Sequence, residues 1–214
     1  VSCAALLQLP SDLLVRMSIL DLQLEPLRVD RLSRLFGILF HIGAFIGIVF
    51  SLHSRDRTQH VAALTYAGSA LGAVFAGDLL TLFVFWELLA ISSVFLIFAS
   101  RTKRSYGAGM RYLIIQIISG VLLLAGALIL YGQSGSLRFE HIGLSGAGSM
   151  LIFIAFGIKC AFPLLHNWLT DAYPEATPTG TVFLSAFTTK VAVYALARGF
   201  AGTEVLVYIG AVMT

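Results

Sequence analysis

A chain of 214 residues that is 58% hydrophobic and only 12% charged, with a mean hydropathy of +0.90, lacks the polar residues to surface a soluble domain, for which about 25% charge is usual. The formal net charge of +3 comes mostly from arginines in short hydrophilic connections, which fits an integral membrane protein and argues against a nucleic-acid partner. Two cysteines, Cys3 and Cys160, are too few for a disulfide framework or a metal cluster.

In chain order, residues 1–34 read as a partial helix and a loop. The opening VSCAALLQLPSDLLVRM is broken by Pro10, Asp12 and Arg16, so it is neither a clean signal peptide nor a full span. The start at Val1 without methionine and the stop at Thr214 within an apolar run read as cut ends. Crossing about 30 Å of hydrocarbon takes roughly 20 apolar residues in a helix. Residues 35–214 hold six such stretches, near 35–52, 61–76, 79–99, 112–131, 150–165 and 181–199, with a seventh begun at 205–214. The expected fold class is therefore all-α, a polytopic transmembrane helix bundle.

Gly68 and Gly72 in the second stretch form a small-residue pair suited to close approach by a neighbouring helix. Gly77 and Asp78 are expected at the mouth of that short span. The loop SRTKRSYGAGMR carries Arg101, Lys103, Arg104 and Arg111 and no acid, which places it in the cytoplasm. Alternation puts HSRDRTQH and HNWLTDAYPEATPTG on the same side. Arg28, Arg31 and Arg34, clustered before the first span, oppose that orientation. GLSGAGS follows no strand and reads as a loop rather than a nucleotide fingerprint.

Three ionisable residues fall inside spans: Glu87, Lys159 and Lys190. Each costs about 2.5–3.5 kcal/mol at a helix centre on insertion scales, so they are expected to face one another or water. Counting helix rise, Glu87 lies roughly 12 Å below residue 79 and Lys159 roughly 14 Å below residue 150, in helices crossing in the same direction. Lys190 lies about 12–14 Å into a helix crossing in reverse. All three sit near the midplane, where charged side chains do not snorkel.

Pro163 cannot donate to the carbonyl four residues back, which is that of Lys159, so the helix is expected to break there and line a cavity. If helical spacing survives, His166 lies two turns along the same face, nearer the cytoplasm, where its imidazole could pass protons. The bland readings stay open. Glu87 and a lysine could form a structural ion pair, and His166 could be an interfacial residue bonded to loop backbone. His41 reads as a packed polar residue, and Trp86 and Trp168 as packing or interfacial anchors. No spacing fits haem, an iron–sulfur cluster, a metal site or a nucleophile–base pair, so no cofactor and no catalytic centre are expected.

The segments GDLLTLFVFWELLAISSVFLIF and FGIKCAFPLLHNWLTDAYPEATPTGTVFLSAFTTKVAVYALARGF resemble the antiporter-like subunit family. That family comprises the large subunits of Mrp-type multisubunit cation/proton antiporters, with the D-type subunit nearest in wording, and the proton-pumping membrane subunits of respiratory complex I. The resemblance runs from about Leu27 to the end, and implies two inverted five-helix repeats with a broken helix. It implies that this chain is the first half of such a subunit, with residues 61–199 as the first repeat. By position, Glu87 matches the family glutamate, Lys159 the broken-helix lysine and Lys190 the lysine linking half-channels. Thr170 stands where the family often has proline.

The function expected is a proton-translocating subunit using a Glu87–Lys159–Lys190 relay with His166 toward the cytoplasm. Its expected partners are other membrane subunits, protons, a monovalent cation such as sodium or potassium, and the lipid bilayer of a bacterial inner membrane. The alternative is a pumping or scaffold subunit of complex I or a membrane-bound hydrogenase.

Overall fold

The structure is a computed structural model that describes residues 6, 8–10, 13–19 and 22–213. Cys3, Asp12, Val1 and Thr214, named above, lie outside the described residues.

The segment expected as a loop before the first span is instead a β-hairpin. Strand β1 (Leu13–Ile19) pairs antiparallel with β2 (Leu22–Val29), from Leu13 opposite Val29 to Ile19 opposite Leu22. The register shifts between Val15 and Met17, so that Arg16 faces both Glu25 and Pro26. A bulge of this kind tolerates a proline, which cannot donate to the ladder. What makes the hairpin is tertiary. The Glu25 N–H donates to Asp78 Oδ2 at 2.8 Å, and the Glu25 carbonyl accepts from Gly77 N–H at 2.9 Å. On the other side of Gly77–Asp78, Leu79 N–H reaches the Leu137 carbonyl and Phe139 N–H the Gly77 carbonyl, each at 2.8 Å.

Helices α1 (Arg31–Ser51), α2 (Arg57–Phe75), α3 (Leu79–Phe98) and α4 (Lys103–Ser134) then run up and down. Each starts where a short polar side chain caps it: Asp30 bonds Ser33 N–H, Asp56 bonds Thr58 and Gln59, Asp78 bonds Thr81, and Thr102 bonds Ser105. Asp78 is fully buried beneath the hairpin and serves as this cap, rather than marking an open mouth. Gly135, in the left-handed region at φ +66°, ends α4.

Helix α5 (Ala147–Cys160) is followed by a non-helical stretch, the short α6 (Asn167–Ala172) and a 3-10 turn (Tyr173–Glu175). Helix α7 (Pro178–Gly199) starts at the Thr177 cap with proline in its first turn, and α8 (Val205–Met213) closes the described chain.

Among the described residues, four helices are long and apolar enough to cross a membrane: α1, α3, α4 and α7. The other two expected spans depart for physical reasons. Helix α2 has 19 residues but is diluted by Arg57, Gln59, His60 and its threonines. Helix α5 stops after 14 residues. Helix α4, at 32 residues, is about 48 Å long, so its first turns stand outside the hydrocarbon.

The small-residue pair acts through one member. Phe85 of α3 occupies the space a Cβ on Gly72 would need, whereas Gly68 faces open space. The core lies between α2, α3, α4, α5 and α7, around Tyr66, Trp86, Tyr112, Phe156 and Phe187, while α1 turns Phe45 and Ile46 outward.

Candidate functional site

Helix α5 ends three residues before Pro163. Ala161 adopts the left-handed conformation at φ +61°. Its N–H bonds the Ile158 carbonyl at 3.1 Å, and Phe162 N–H reaches back to the Gly157 carbonyl at 2.9 Å. This is the paired closing pattern that usually has glycine at the left-handed position. The Phe162 ring folds over Gly157, where any Cβ would meet Phe162 Cδ2 at 2.6 Å. The indole of Trp168, 2% exposed, donates to the Ile158 carbonyl at 2.9 Å, so it packs at the break rather than anchoring at an interface. With proline at 163, the Lys159 carbonyl has no amide four residues on. The predicted interruption is present, but Ala161 sets its position.

Lys159, 0% exposed, is the only lysine with a fully buried side chain among the described residues. Its ammonium donates to the Trp86 carbonyl at 3.2 Å and stands 4.7 Å from the centroid of the Trp86 ring. A cation over an indole face gains about 0.5–2 kcal/mol, the more when desolvated. Glu87, the next residue on α3, is half-buried and points toward α4, where its carboxylate fills the space beside Gly120. Its Oε1 is buried without a hydrogen-bond partner. The two charges lie on neighbouring helices but do not form an ion pair within 4.0 Å; each leans on the intervening Trp86 and α4 instead. Trp86 is held in turn, its indole donating to Ser119 Oγ at 3.0 Å and Ser119 donating to the Ala155 carbonyl at 2.7 Å.

The other two candidates are not brought to this centre. Lys190 is exposed on α7 and donates to the Ser185 carbonyl at 2.6 Å. His166 is not two turns along the face of Lys159, because the helix ends at Cys160. It is the exposed residue before α6 and lines a surface hollow with Ala161, Pro163, Val212 and Met213. His41 is partly buried on α1 and bonds the Gly37 carbonyl at 2.7 Å, and Cys160 is a buried free thiol.

Around the break, the charged loops are matched. Arg101 pairs with Asp56 at 3.0 Å, Arg104 with Glu175 at 3.1 Å, and Arg111 with Asp171 at 2.8 Å. Arg111 donates from both Nε and Nη2, which holds the Asp171 carboxyl below its usual range. Two of the three arginines that opposed the orientation are also engaged. Arg28 meets Asp30 at 3.3 Å, and Arg34 donates to the Leu9 carbonyl at 2.6 Å. Among the described residues, no three His, Cys, Asp or Glu side chains cluster as metal ligands.

Sequence reasoning missed Gln116, Ser119 and Gly120 on α4, which face α3 around Glu87. Their signal is a spacing. Tyr112, Gln116, Ser119 and Gly120 fall at i, i+4, i+7 and i+8, one polar and small face on an apolar helix.

Residues 76–211 match the family described as "NADH:quinone oxidoreductase/Mrp antiporter, TM". The chain belongs to that family. It is 28% identical over 194 residues to NADH-quinone oxidoreductase subunit N of Deinococcus radiodurans, covering 82% of this chain and 39% of that one. It is 29% identical over 175 residues to the D-type subunit of the Na(+)/H(+) antiporter of Bacillus subtilis, covering 73% of this chain and 36% of that one. The fold matches a chain of the Mrp complex from a Dietzia species with TM-score 0.80 at 23% identity, covering 99% of this chain and 44% of that chain. The chain thus spans less than half the length of these relatives. It is an integral, multi-pass membrane protein of the antiporter-like type.

Proposed function

We propose that the chain is the first-repeat portion of a proton-translocating membrane subunit of a multisubunit monovalent cation/proton antiporter, working beside other membrane subunits in a bacterial inner membrane. The observation that carries this reading is Lys159, a fully buried amine in the last turn of the broken helix α5, with a half-buried carboxylate on α3. A charge there is unfavourable unless it does work, since an intramembrane ionisable group lowers stability by several kcal/mol when unpaired.

In this mechanism Lys159 takes and releases a proton, and Glu87 moves between its seat at Gly120 and the lysine. At about 6 Å and an effective dielectric near 20 the two attract by roughly 3 kcal/mol, enough to couple their charge states. Lys190, exposed on α7, passes the proton toward the part of the subunit beyond this chain, and His166 lies on the cytoplasmic surface. A second reading, the corresponding subunit of a redox-driven pump, is favoured by the similarity to subunit N.

The test reconstitutes the full-length protein with its partner subunits in vesicles and follows pH changes driven by sodium or potassium gradients. Glu87→Ala and Lys159→Ala are each expected to abolish transport in assembled protein, with the double variant no worse. A structural pair behaves otherwise: single variants lose folded protein and the double variant regains it. Normal transport by assembled Lys159→Ala protein ends this reading, and an absence of ion-driven pH change by the parent favours the redox-driven alternative.

A further inference from the structure

The end of the bundle opposite the Arg101–Arg111 loop carries a cavity that proton translocation does not use. It has a volume of about 260 Å³ and lies between the β-hairpin and the chain leaving α4, with Arg16, Glu25, Tyr131, Gly135 and Arg138 in its wall. Two guanidinium groups meet there on one carboxylate oxygen: Arg16 Nε stands 3.4 Å and Arg138 Nε 3.2 Å from Glu25 Oε1. Both contacts are longer than the roughly 2.7–2.9 Å of a charge-assisted hydrogen bond, so N–H groups on both arginines stay available to a further acceptor. The Glu25 side chain is only 6% exposed, yet its Oε2 accepts no hydrogen bond among the described residues. A buried carboxylate oxygen without a donor is unfavourable, so the cavity calls for a donor as well as an acceptor. The Arg16 side chain is 64% exposed and has room to turn aside for a ligand that reaches that oxygen.

Depth indicates where such a ligand comes from. Arg111 is the last charge on α4, and the 20 residues from Tyr112 to Tyr131 rise about 30 Å, the thickness of the hydrocarbon layer. Tyr131 therefore sits at the interface, where tyrosine is enriched. Gly135 lies about 6 Å farther on by helix rise, within a headgroup layer about 5–8 Å deep. Val121, Leu128 and Gly135 recur at seven-residue spacing on one face of α4, and the two apolar side chains are more than half exposed. That uncharged face leads from the hydrocarbon to the cavity.

We propose that the cavity binds the headgroup of a phosphatidylethanolamine, with the phosphate between Arg16 and Arg138, the ammonium donating to the Glu25 carboxylate, and an acyl chain along Val121 and Leu128. Phosphate alone leaves Glu25 without its donor, and the quaternary ammonium of a choline headgroup has no N–H to give. The site does not depend on the translocation reading.

The full-length protein with its partner subunits is titrated in detergent with phosphatidylethanolamine, phosphatidylcholine and phosphatidylglycerol of the same chains, and retained lipid is read by native mass spectrometry. The parent is expected to hold one phosphatidylethanolamine per copy of this chain about tenfold more tightly than either other lipid, the effect of one hydrogen bond to a charged group. Arg16→Gln and Arg138→Gln are each expected to weaken it about tenfold, and Glu25→Gln to remove the preference over phosphatidylcholine. Arg57→Gln, exposed at the other end of the bundle beside the Asp56–Arg101 pair, is expected to change nothing. Equal retention of phosphatidylcholine or phosphatidylglycerol by the parent overturns the assignment, as does parental retention in Arg16→Gln. If the Arg138 or Glu25 variants do not assemble, Arg16→Gln decides, since its side chain is the exposed member of the cluster. An Arg16→Gln protein that sheds partner subunits but keeps the lipid gives this face to protein and overturns the site. Displacement of the lipid by an equal concentration of glycerophosphoethanolamine, the headgroup without its chains, overturns the part assigned to α4.

Discussion

A methyl group on Gly120 tests the placement of Glu87 without touching either charge. A Cβ there would lie 2.6 Å from Glu87 Cδ and 3.3 Å from Cγ. Carbon atoms rest at about 3.5–4.0 Å, so the carboxylate must shift by about 1 Å or more. The obstructed atoms are the end of a flexible side chain, and moving it off its rotamer costs about 0.5–1.5 kcal/mol. Against this, alanine in place of glycine inside a helix gains about 1 kcal/mol. The net change in stability is within about 1 kcal/mol, or about 2–4 °C in melting temperature for a chain of this size. Transport is different, because displacing a reacting group by about 1 Å costs on the order of 10²-fold. We expect Gly120→Ala in the full-length protein to melt within a few degrees of the parent by tryptophan fluorescence and to lose most of its proton movement in vesicles. Unchanged transport in the assembled variant refutes the functional placement of Glu87 against α4. A large fall in melting temperature refutes the claim that the carboxylate yields freely.

Ala161→Gly relieves a left-handed alanine and is expected to raise stability by about 1 kcal/mol, whereas Ala161→Val lowers it; thermal melts of both check the sign. Arg111 depresses the Asp171 carboxyl, so this pair stabilises fully above the unfolded value of about 3.9, and its contribution is lost as pH falls through the lower native value. Both partners are well exposed, so Asp171→Asn is expected to cost less than about 1 kcal/mol at neutral pH and progressively less as the solution is acidified, as measured by denaturation at neutral and acid pH. Single cysteines placed between Arg101 and Arg111 are expected to resist impermeant thiol reagents added outside intact cells; rapid labelling reverses the orientation.

Helices α3 and α7 were legible to within a few residues because a membrane span needs apolar length, and length is visible. Glu87 and Lys159 stood out because charge is rare in such segments. Their arrangement was less legible, since helix rise gives depth but not facing: Glu87 turns to Gly120, Lys159 to the Trp86 carbonyl, and Lys190 to the outside. Pro163 announced a break, but the left-handed turn at Ala161 came first and removed the helical register that would have aligned His166. A search by charge passes over Gln116, which is neutral, although its i+4 spacing from Tyr112 was in view. The hairpin was hidden because its backbone partners, Gly77 and Asp78, lie some fifty residues away.

The strand-like contacts at the start of α3 also impose an order of assembly. Leu79 N–H is satisfied by the Leu137 carbonyl, 58 residues later, whereas the Asp78 side chain already holds Glu25, made 53 residues earlier. At synthesis rates of about 5–20 residues per second, α3 emerges roughly 3–12 s before its upper end is complete. Through that interval the helix carrying Glu87 is held by the earlier hairpin and by α2, where Phe85 lies against Gly72, without its later partner at Leu137. Biogenesis factors that hold partly inserted segments have that window in which to act, and a substitution at Asp78 would be felt first as a defect of insertion and only later as one of transport.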